Sequence, residues 1–382
     1  MYLQRLQLSN FKNYETCELE FSTAINCFVG NNGVGKTNIL DAVHYLSLAK
    51  SFFSQSELQS IRHGDDFFIV SGIFSHDAGD DTISCSFVRQ KQKTLKCNGK
   101  EYERITDHIG RFPAVMVSPA DSALITEGSE ERRKFLNKII SQYNGEYLDA
   151  LLNYNKALQS RNRLLKDYSS GTGYDEEMLE IFDIQMDKYG SIIYRERSDL
   201  VEKLTPVFQD YYEIISLKRE KVALVYKSQL ANGTLTDLLK ANRERDRFLQ
   251  YTSVGIHRDD LEFMMEGYQV KHLGSQGQQK SYLVALKLAK FGYIAAMTGI
   301  TPLLLLDDLF DKFDADRVEQ LVRLVGSHRF GQIFITDTQQ DRLLRILEGS
   351  TVDFKLFTIG REGVEEIIQN GKNEKKQDTN TG

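Results

Sequence analysis

Hydrophobic and polar residues alternate with a period of two near the start of the chain. Within residues 2–21, Cys17, Leu19 and Phe21 alternate with polar neighbours, and the same alternation returns within residues 69–87. Successive side chains of a strand point to opposite faces, so this pattern predicts strands with one buried and one exposed face. A strong two-residue turn signal at Asn98 and Gly99 predicts a further hairpin.

Four runs that are dense in apolar residues differ from this alternation. They occupy residues 25–29, 303–306, 332–336 and 354–359. Such runs are typical of strands that are covered on both faces. Amphipathic helical patterns accompany them, which favours an α/β domain with a mixed sheet, assembled from both ends of the chain.

The central part of the chain changes from a strand period to a helical one. Residues 134–162, 178–208 and 235–248 place apolar side chains at helical spacing, without the sustained heptads of a long coiled coil. We therefore predict a mostly helical lobe at residues 129–247, inserted into an α/β domain made of residues 1–128 and 248–369. Residues 370–382 are polar and are predicted to be disordered.

Composition is typical of a protein of the reducing cytoplasm. The 382 residues carry a formal net charge of −6, so contact with nucleic acid would have to use local basic surfaces. The four cysteines have no metal-binding or redox spacing, which predicts free thiols. The sequence shows no secretory signal and no apolar stretch long enough to cross a bilayer, so we predict a cytoplasmic protein without a membrane partner.

A complete phosphate-binding loop follows the first dense apolar run. Residues 30–37 have the pattern G-x-x-x-x-G-K-T, between a predicted strand and an amphipathic helix. Backbone N–H groups at the start of such a helix attract phosphate, and glycines let the loop approach it closely. Lys36 is expected to reach the β- and γ-phosphates, and the Thr37 hydroxyl to ligate Mg²⁺. The predicted nucleotide-binding residues are Gly30, Asn31, Asn32, Gly33, Val34, Gly35, Lys36, Thr37 and Asn38.

Two carboxylates follow the apolar run at residues 303–306. Asp307 is predicted to hold Mg²⁺ together with Thr37, and Asp308 to accept a proton from the water that attacks the nucleotide. An acidic pair at the edge of a strand is the alternative interpretation. The complete phosphate loop favours the first interpretation, in which Lys36, Asp307 and Asp308 are the catalytic residues.

A second glycine-containing helix start lies upstream of these carboxylates. Residues 275–280 have the sequence Ser-Gln-Gly-Gln-Gln-Lys and precede an amphipathic helix. Ser275 is a suitable N-cap, so an ordinary capped helix is one interpretation. The favoured interpretation is a signature of the ABC type, in which Ser275, Gln276, Gly277 and Gln278 face the γ-phosphate of a nucleotide bound to a partner subunit.

These motifs, in this order, resemble the RecF family of the ABC-type ATPase superfamily, which includes the SMC and Rad50 heads. The resemblance covers nearly the whole chain, and a helical insertion of this size fits RecF but is too short for the SMC coiled coil. The segments that carry the resemblance are residues 8–14, 30–38, 118–121, 128–136, 255–261, 275–280 and 305–308.

The resemblance implies an ATP-dependent DNA-binding protein of recombinational repair and replication restart. It implies a homodimer that forms with ATP and Mg²⁺ on double-stranded, gapped or junction DNA and helps to load a recombinase. Hydrolysis of ATP is expected to be weak, stimulated by DNA, and used as a gate. The implied protein partners are RecR and RecO and, indirectly, RecA. Asp311 and Asp314 are implied to lie in the loop that contacts the partner subunit's site.

Three positions depart from the pattern of the family or superfamily. Ile256 stands where the family usually has a proline, which relaxes a turn. Residues 50–53 lack the expected arginine, so contacts with the nucleotide base stay open. Thr336 stands where ABC proteins usually have the histidine that senses the γ-phosphate, and the residue that takes this role is therefore also open.

Three basic clusters are the candidates for DNA contact, although charge runs are often only solvated helix faces. No base-reading motif accompanies them, so any contact is expected to be with the DNA backbone. The segment His257-Arg258-Asp259 has no second histidine at metal-ligand spacing, which favours a structural or lobe-coupling role. The three clusters are Arg132, Arg133 and Lys134, then Arg161, Arg163 and Lys166, then Arg243, Arg245 and Arg247.

Two rival function classes are a transport-coupled ABC subunit and a scaffold that binds ATP without hydrolysing it. The basic patches of the inserted lobe argue against the first, and Asp307 and Asp308 argue against the second. The prediction is an ATP-gated DNA clamp. Its turnover rate, its preferred DNA structure and its oligomeric state without ATP stay open.

Overall fold

The computed structural model of the chain describes residues 1–169, 176–217, 220–309, 313, 315–325, 330–348, 353–360, 363–369 and 372–375. Contacts between residues divide the chain into two units. We call residues 1–121, 214–216 and 280–382 the sheet unit, and residues 122–213 and 217–279 the helical unit. The helical unit is therefore wider than the predicted insertion at residues 129–247.

The alternating pattern forms a six-stranded antiparallel sheet in the sheet unit. Strand β4 buries every second side chain from Phe68 to Phe74, as the period of two predicted. In β1 the alternation is interrupted, because its register with β4 shifts between Leu3 and Arg5. Asn98 and Gly99 both have positive φ angles and close the predicted hairpin. The strands, in spatial order, are β2 (Tyr14–Glu20), β1 (Tyr2–Phe11), β4 (Phe67–His76), β5 (Gly79–Val88), β6 (Thr94–Cys97) and β7 (Lys100–Glu101).

The dense apolar runs form a seven-stranded mixed sheet in the same unit. Its spatial order is β16 (Lys372–Lys375), β15 (Gly363–Gln369), β14 (Phe354–Gly360), β3 (Ile25–Val29), β13 (Ile333–Asp337), β12 (Leu303–Leu306) and β8 (Ala114–Val117). From β14 to β8 neighbouring strands are parallel, whereas β15 and β16 are antiparallel.

The burial of these strands agrees with their composition. Every residue of β3, β8, β12 and β13 is buried. At the other edge, β16 pairs with β15 inside the tail that was predicted to be disordered, so that prediction was wrong for residues 372–375. Residues 376–382 lie outside the described part of the chain.

Helix α1 (Lys36–Leu48) packs against strands of both sheets and is buried along almost its whole length. Its Ile39, Tyr45 and Leu46 belong to one core with Phe11 and Phe68. Burying a large apolar side chain contributes about 1.5–3 kcal/mol, so this core fixes the helix and the loop that precedes it. Two further α-helices of the described residues lie in this unit, α10 (Ala315–Val325) and α11 (Gln340–Glu348). Helix α9 (Gln276–Thr298) begins in the helical unit and belongs to the sheet unit from residue 280 onwards.

The helical unit contains the helices that the central pattern predicted, with different limits. Two predicted helices are interrupted, one at residues 141–144 and the other at Asn242. No described helix of the chain is long and apolar enough to cross a membrane. The helices are α2 (Ala123–Thr126), α3 (Ser129–Ile140), α4 (Gly145–Ser169), α5 (Glu176–Ser216), α6 (Leu235–Ala241), α7 (Arg243–Leu249) and α8 (Val270–Leu273).

A small antiparallel sheet in the helical unit was not predicted. Its strands are β9 (Val222–Lys227), β10 (Asp260–Met265) and β11 (Tyr268–Gln269), in the order β11-β10-β9. β10 pairs with β9 along its whole length. This pairing joins the chain after residue 247 to the central segment, which is why the helical unit extends beyond the predicted insertion.

Candidate nucleotide site

Three neighbouring parallel strands of the seven-stranded sheet end at one edge. The phosphate loop follows β3, Asp307 follows β12, and Thr336 lies at the end of β13. Side chains that are 270 positions apart in the sequence, such as those of Thr37 and Asp307, therefore come into contact. A cavity of about 180 Å³ lies at this edge and is lined by Asn32, Gly33, Gly35, Lys36, Thr37, Asn38, Asp307, Asp308 and Thr336.

The loop needs glycine at two positions for steric reasons. Gly30 has φ +151°, and a Cβ there would lie 2.3 Å from the carbonyl oxygen of Ile359 in β14. Gly35 has φ +113°, and a Cβ there would lie 2.4 Å from Nδ2 of Asn13. Real Cβ atoms do not approach other atoms so closely, so a larger residue would displace the loop.

The side chain of Lys36 folds back onto the phosphate loop. Its Nζ donates hydrogen bonds to the carbonyl oxygens of Gly30 and Asn31, at 2.7 and 2.8 Å. Burial lowers the pKa of Lys36, and the nearby carboxylates of Asp308 and Asp307 oppose that shift. The ammonium group is thus held inside the loop, at the wall of the cavity.

Asp307 is the centre of a buried hydrogen-bond network. The hydroxyls of Thr37 and Thr336 each donate to its Oδ1 at 2.8 Å, and the Ser118 hydroxyl donates to its Oδ2 at 3.4 Å. Burial raises the pKa of Asp307, and the bonds from Thr37 and Thr336 oppose that rise. Carboxylate and hydroxyl oxygens are ligands that Mg²⁺ prefers, so the donor set fits this ion, which Asp307 and Thr37 would hold.

Asp308 adopts a backbone conformation that is unusual for a residue with a side chain. Its φ angle is +47°, in the left-handed region, and its N–H donates to the Thr336 hydroxyl at 2.9 Å. Asp tolerates this region better than most residues, yet such conformations are enriched at functional sites. Asp308 is half-buried and lines the cavity, and its role as a general base stays a prediction.

Thr336 connects the carboxylate of Asp307 to the backbone of Asp308. Its hydroxyl donates to Asp307 and accepts from the N–H of Asp308. It therefore orients the carboxylate of Asp307 and the backbone of Asp308, and the residue that senses the γ-phosphate stays open.

Asn13 is a residue of the site that the motif analysis missed. Its Nδ2 donates to the carbonyl oxygen of Val34 at 3.0 Å, and its Oδ1 accepts from Asn38 at 2.7 Å. It lies in the turn between β1 and β2, within the segment 8–14 that carried the family resemblance. That segment was the available signal, but only the fold shows that Asn13 supports the phosphate loop.

The helix start at Ser275 has a capping box. The Ser275 hydroxyl accepts from the N–H of Gln278 at 3.3 Å, and the Gln278 side chain accepts from the N–H of Ser275 at 2.8 Å. Gln278 also donates to Glu220 at 2.8 Å. Ser275 and Gln276 are exposed, and Gly277 is half-buried. The capped helix is thus present, whereas a contact with a partner's nucleotide stays a prediction. Asp311 and Asp314 lie outside the described residues.

Arg161 was a candidate for DNA contact, and the structure shows that this prediction was wrong. Its side chain is fully buried in the helical unit. The guanidinium donates to Asp183 and Asp246, both at 2.7 Å, and to Thr252 at 2.9 Å. A buried arginine with two carboxylate partners has a structural role.

Several other candidate basic residues also have partners within the helical unit. Arg132 forms two hydrogen bonds with the carboxylate of Asp260, at 2.7 and 3.0 Å. Arg133 donates to the carbonyl oxygen of Asp259, Lys134 pairs with Glu130 and Glu131, Arg243 pairs with Glu176, and Arg247 pairs with Glu244. Lys134 is exposed despite these pairs, and Arg163, Lys166 and Arg245 are exposed as well.

His257 is also held by structural contacts. Its Nδ1 accepts from the Tyr154 hydroxyl at 2.9 Å, and its Nε2–H donates to the carbonyl oxygen of Thr252 at 3.0 Å. Burial lowers the pKa of His257 to about 4. The described residues contain no cluster of His, Cys, Asp and Glu that could hold a metal, and the four cysteines are free, as predicted.

Comparisons with known proteins find relatives of this chain over nearly its whole length. Residues 2–352 match the family described as RecF/RecN/SMC N terminal domain. The DNA replication and repair protein RecF of Phocaeicola vulgatus is 48% identical over 361 residues, covering 94% of this chain and 96% of that protein. The RecF of Bacteroides fragilis is 47% identical over 368 residues, covering 96% and 99%.

Two solved structures have a fold similar to that of this chain. A structure of the recombination mediator protein RecF with ATP in the RecFOR pathway has a TM-score of 0.86 at 29% identity, covering 96% of this chain and 97% of that chain. The Smc head domain from Pyrococcus furiosus, at 17% identity and a TM-score of 0.57, shares the fold over 96% of both chains.

Proposed function

The chain belongs to the RecF family of ABC-type ATPases, and from this membership we propose that it is an ATP-gated DNA-binding protein of recombinational repair and replication restart. One observation carries the proposal: a single cavity brings together Lys36, Thr37, Asp307 and Asp308. These are the residue types that bind and hydrolyse a nucleoside triphosphate in P-loop proteins.

Binding would use the loop and the start of α1. The N–H groups of the loop and of the first turn of α1 would donate to the phosphates, and the helix N-terminus adds partial positive charge. Lys36 would exchange its bonds to Gly30 and Asn31 for bonds to the β- and γ-phosphates. Thr37 and Asp307 would hold Mg²⁺, which would supply positive charge that neutralises the phosphates.

Hydrolysis would depend on Asp308. Its carboxylate would accept a proton from the attacking water while the bond between the γ-phosphorus and the bridging oxygen breaks. The products would be ADP and phosphate. Thr336 supports this role because its hydroxyl fixes the backbone of Asp308 beside Asp307. Slow turnover, stimulated by DNA, would then act as a release step.

The gate would be a homodimer. Two chains would bind head to tail, with ATP between residues 30–38 of one chain and Ser275, Gln276, Gly277 and Gln278 of the other. The helix start at Ser275 supports this arrangement because Ser275 and Gln276 are exposed, and backbone N–H groups at a helix N-terminus can donate to a phosphate. Asp314 would contribute to the same interface.

The proposed setting follows from family membership. The dimer would enclose double-stranded, gapped or junction DNA in the cytoplasm and would act with RecR and RecO, and indirectly with RecA. The RecF structure of the RecFOR pathway supports this context. Exposed Arg163, Lys166 and Arg245 are the candidates of the helical unit for contact with the DNA backbone.

Replacing Ser275 by arginine tests the proposal. The Ser275→Arg variant should bind ATP as a monomer but fail to dimerise with ATP, because the new side chain fills the space for the partner's phosphate. Sizing in solution with ATP, with and without gapped DNA, measures this. Thr234→Arg is the matched control, since Thr234 is an exposed N-cap of α6 in the same unit.

Two results would contradict the proposal. Dimers that still form with the Ser275→Arg variant would exclude the proposed interface. An ATPase rate that DNA does not change would favour a scaffold that binds ATP without using it as a gate.

A further inference from the structure

Lys287 is a buried lysine in the middle of α9. It is 5% exposed, and its Nζ donates to Oδ1 of Asp121 at 2.5 Å and to the carbonyl oxygen of Met116 at 3.1 Å. Asp121 is itself 6% exposed. A buried ion pair of this kind contributes little net stability, because both charges lose their hydration. Its presence therefore calls for a role other than stabilising the fold.

The pair leads to the nucleotide site through one further residue. Oδ2 of Asp121 accepts from the backbone N–H of Ser118 at 2.9 Å, and the Ser118 hydroxyl donates to Oδ2 of Asp307 at 3.4 Å. Ser118 directly follows β8, which pairs in register with β12, and the N–H of Asp307 donates to the carbonyl oxygen of Val117 at 2.8 Å. Lys287, Asp121 and Ser118 thus form a continuous path to Asp307.

The same lysine also contacts a segment that is held by the phosphate-loop helix. Its Nζ lies 5.4 Å from the ring centroid of Phe52. The N–H of Phe52 donates to Asp41 of α1 at 2.6 Å, and Lys12 pairs with the same carboxylate at 2.5 Å. Lys287 therefore contacts Asp121, which leads through Ser118 to Asp307, and Phe52, which is bonded to helix α1.

We propose that Lys287, Asp121 and Ser118 are positioning residues that hold Asp307 in the orientation that Mg²⁺ binding requires. The inference rests on the proposed nucleotide function and deepens it. Residues that orient a metal ligand typically change metal affinity when they are replaced, even though they do not touch the metal. Because Lys287 lies on the helix that begins at Gln276, the path also gives that helix a physical connection to the site.

The test measures binding of a fluorescent, slowly hydrolysed ATP analogue while Mg²⁺ is titrated. The Lys287→Met/Asp121→Leu variant removes both buried charges together, so neither is left unpaired. We expect it to need about 10-fold more Mg²⁺ for half-maximal binding, while its affinity in EDTA stays within about two-fold of wild type. Ser118→Ala, which leaves the ion pair intact, should need about three-fold more Mg²⁺.

Two further variants separate positioning from general damage. Lys287→Arg keeps the positive charge and should restore the wild-type Mg²⁺ requirement. Lys290→Met replaces another lysine of α9 that is also 5% exposed and should leave the requirement unchanged. Thermal unfolding of each variant shows whether it is folded, and Ser118→Ala carries the test if the double variant is not.

The outcomes distinguish this inference from the proposed function. Wild-type protein that does not bind the analogue would overturn the proposed function. Wild-type protein that binds with a Mg²⁺ requirement shared by the double variant and Ser118→Ala would overturn only the positioning role. An equal shift in Lys290→Met would also overturn it, because the effect would then come from α9 in general.

Discussion

The nucleotide cavity and the buried cluster of Arg161, Asp183 and Asp246 both bring together charged residues that are far apart in the sequence. Their surroundings differ. In the cavity, Lys36 and Asp308 line an open space of about 180 Å³. In the cluster, Arg161 is fully buried and two carboxylates accept its hydrogen bonds. The difference is whether a ligand or the protein itself neutralises the charge.

Chain topology accounts for this contrast. The cavity residues follow the ends of parallel strands, where a sheet leaves its last residues free to face a ligand. Arg161 lies within a helix and meets Asp183 and Asp246 from two other helices. A cation on a helix face is therefore a poor indicator of DNA contact until its partners in the fold are known.

The largest expected effect is a loss of ATP hydrolysis when Asp308 in the nucleotide cavity is replaced. Asp308→Asn should lower the rate of ATP hydrolysis by about 10²–10⁴-fold, because the general base is lost. Binding of ATP should stay within about three-fold, since Asn also tolerates a positive φ angle. Single-turnover hydrolysis and nucleotide titration measure the two quantities. Asp77→Asn, at an exposed position of the same unit, is the control. Hydrolysis at the wild-type rate would remove Asp308 from the mechanism.

The next largest expected effect is a loss of stability when the buried Arg161 is replaced. Arg161→Met should destabilise the protein by about 3–5 kcal/mol, because Asp183 and Asp246 would be left buried without their cation. Urea unfolding measures the change. Arg163→Met is the matched control: its side chain is 86% exposed, and the expected change is within about 0.5 kcal/mol.

One result for Arg161→Met would contradict the structural role of Arg161. If Arg161→Met kept the wild-type stability and instead weakened DNA binding, Arg161 would be a ligand-binding residue and the fold would not explain it.

Much of the site could be predicted from the sequence because its parts are local. The phosphate loop is continuous, and Asp307 and Asp308 follow their strand directly, so spacing alone identifies them. Asn13 could not be assigned because its contacts with Val34 and Asn38 depend on how β1 and β2 meet α1. The role of Arg161 was equally hidden, since Asp246 is 85 positions away.

In the fold, too, features with a local sequence pattern could be predicted, and those that depend on distant contacts could not. Strands with a clear period of two or with dense apolar runs lie where the sequence predicts them. β9 and β10 were missed because they lie next to helical segments, and pairing with each other stabilises them more than any local pattern does. For the same reason the limits of the inserted lobe could not be predicted from local periodicity.

The two units also share a feature that a pH titration can compare. His108 in the sheet unit accepts from Tyr102 at Nδ1 and donates to the carbonyl oxygen of Leu46, as His257 does with Tyr154 and Thr252 in the helical unit. Burial lowers the pKa of both histidines to about 4, from 6.5 in the unfolded chain. Between these values the unfolded chain binds more protons, so stability should fall as the pH falls from about 6.5 to about 4.

Replacing one histidine should flatten this dependence. His108→Gln and His257→Gln should each reduce the slope of unfolding free energy against pH by up to about 1.4 kcal/mol per pH unit. Urea unfolding between pH 4 and 7 measures the slope. His63→Gln, at an exposed position, is the control. Slopes equal to wild type in both variants would show that neither ring is held in its neutral form.

The smallest expected effects concern the exposed basic residues. Arg163→Ala and Arg245→Ala should each weaken DNA binding only a few-fold and reduce the slope of log affinity against log salt by about one, as loss of one phosphate contact does. Binding to gapped DNA at several salt concentrations measures both quantities. Unchanged slopes in both variants would place the DNA on another surface.

The position of β3 in its sheet has a consequence for synthesis of the protein. Its two neighbours are β13 and β14, and the backbone of Ile359 in β14 lies against Gly30. A ribosome makes the phosphate loop first and these neighbours last, at about 5–20 residues per second. The loop therefore leaves the ribosome long before its sheet can form around it. A chain that is released before β14 has been made would carry the whole nucleotide motif without the strand beside it, so ATP binding would require synthesis to have passed β14.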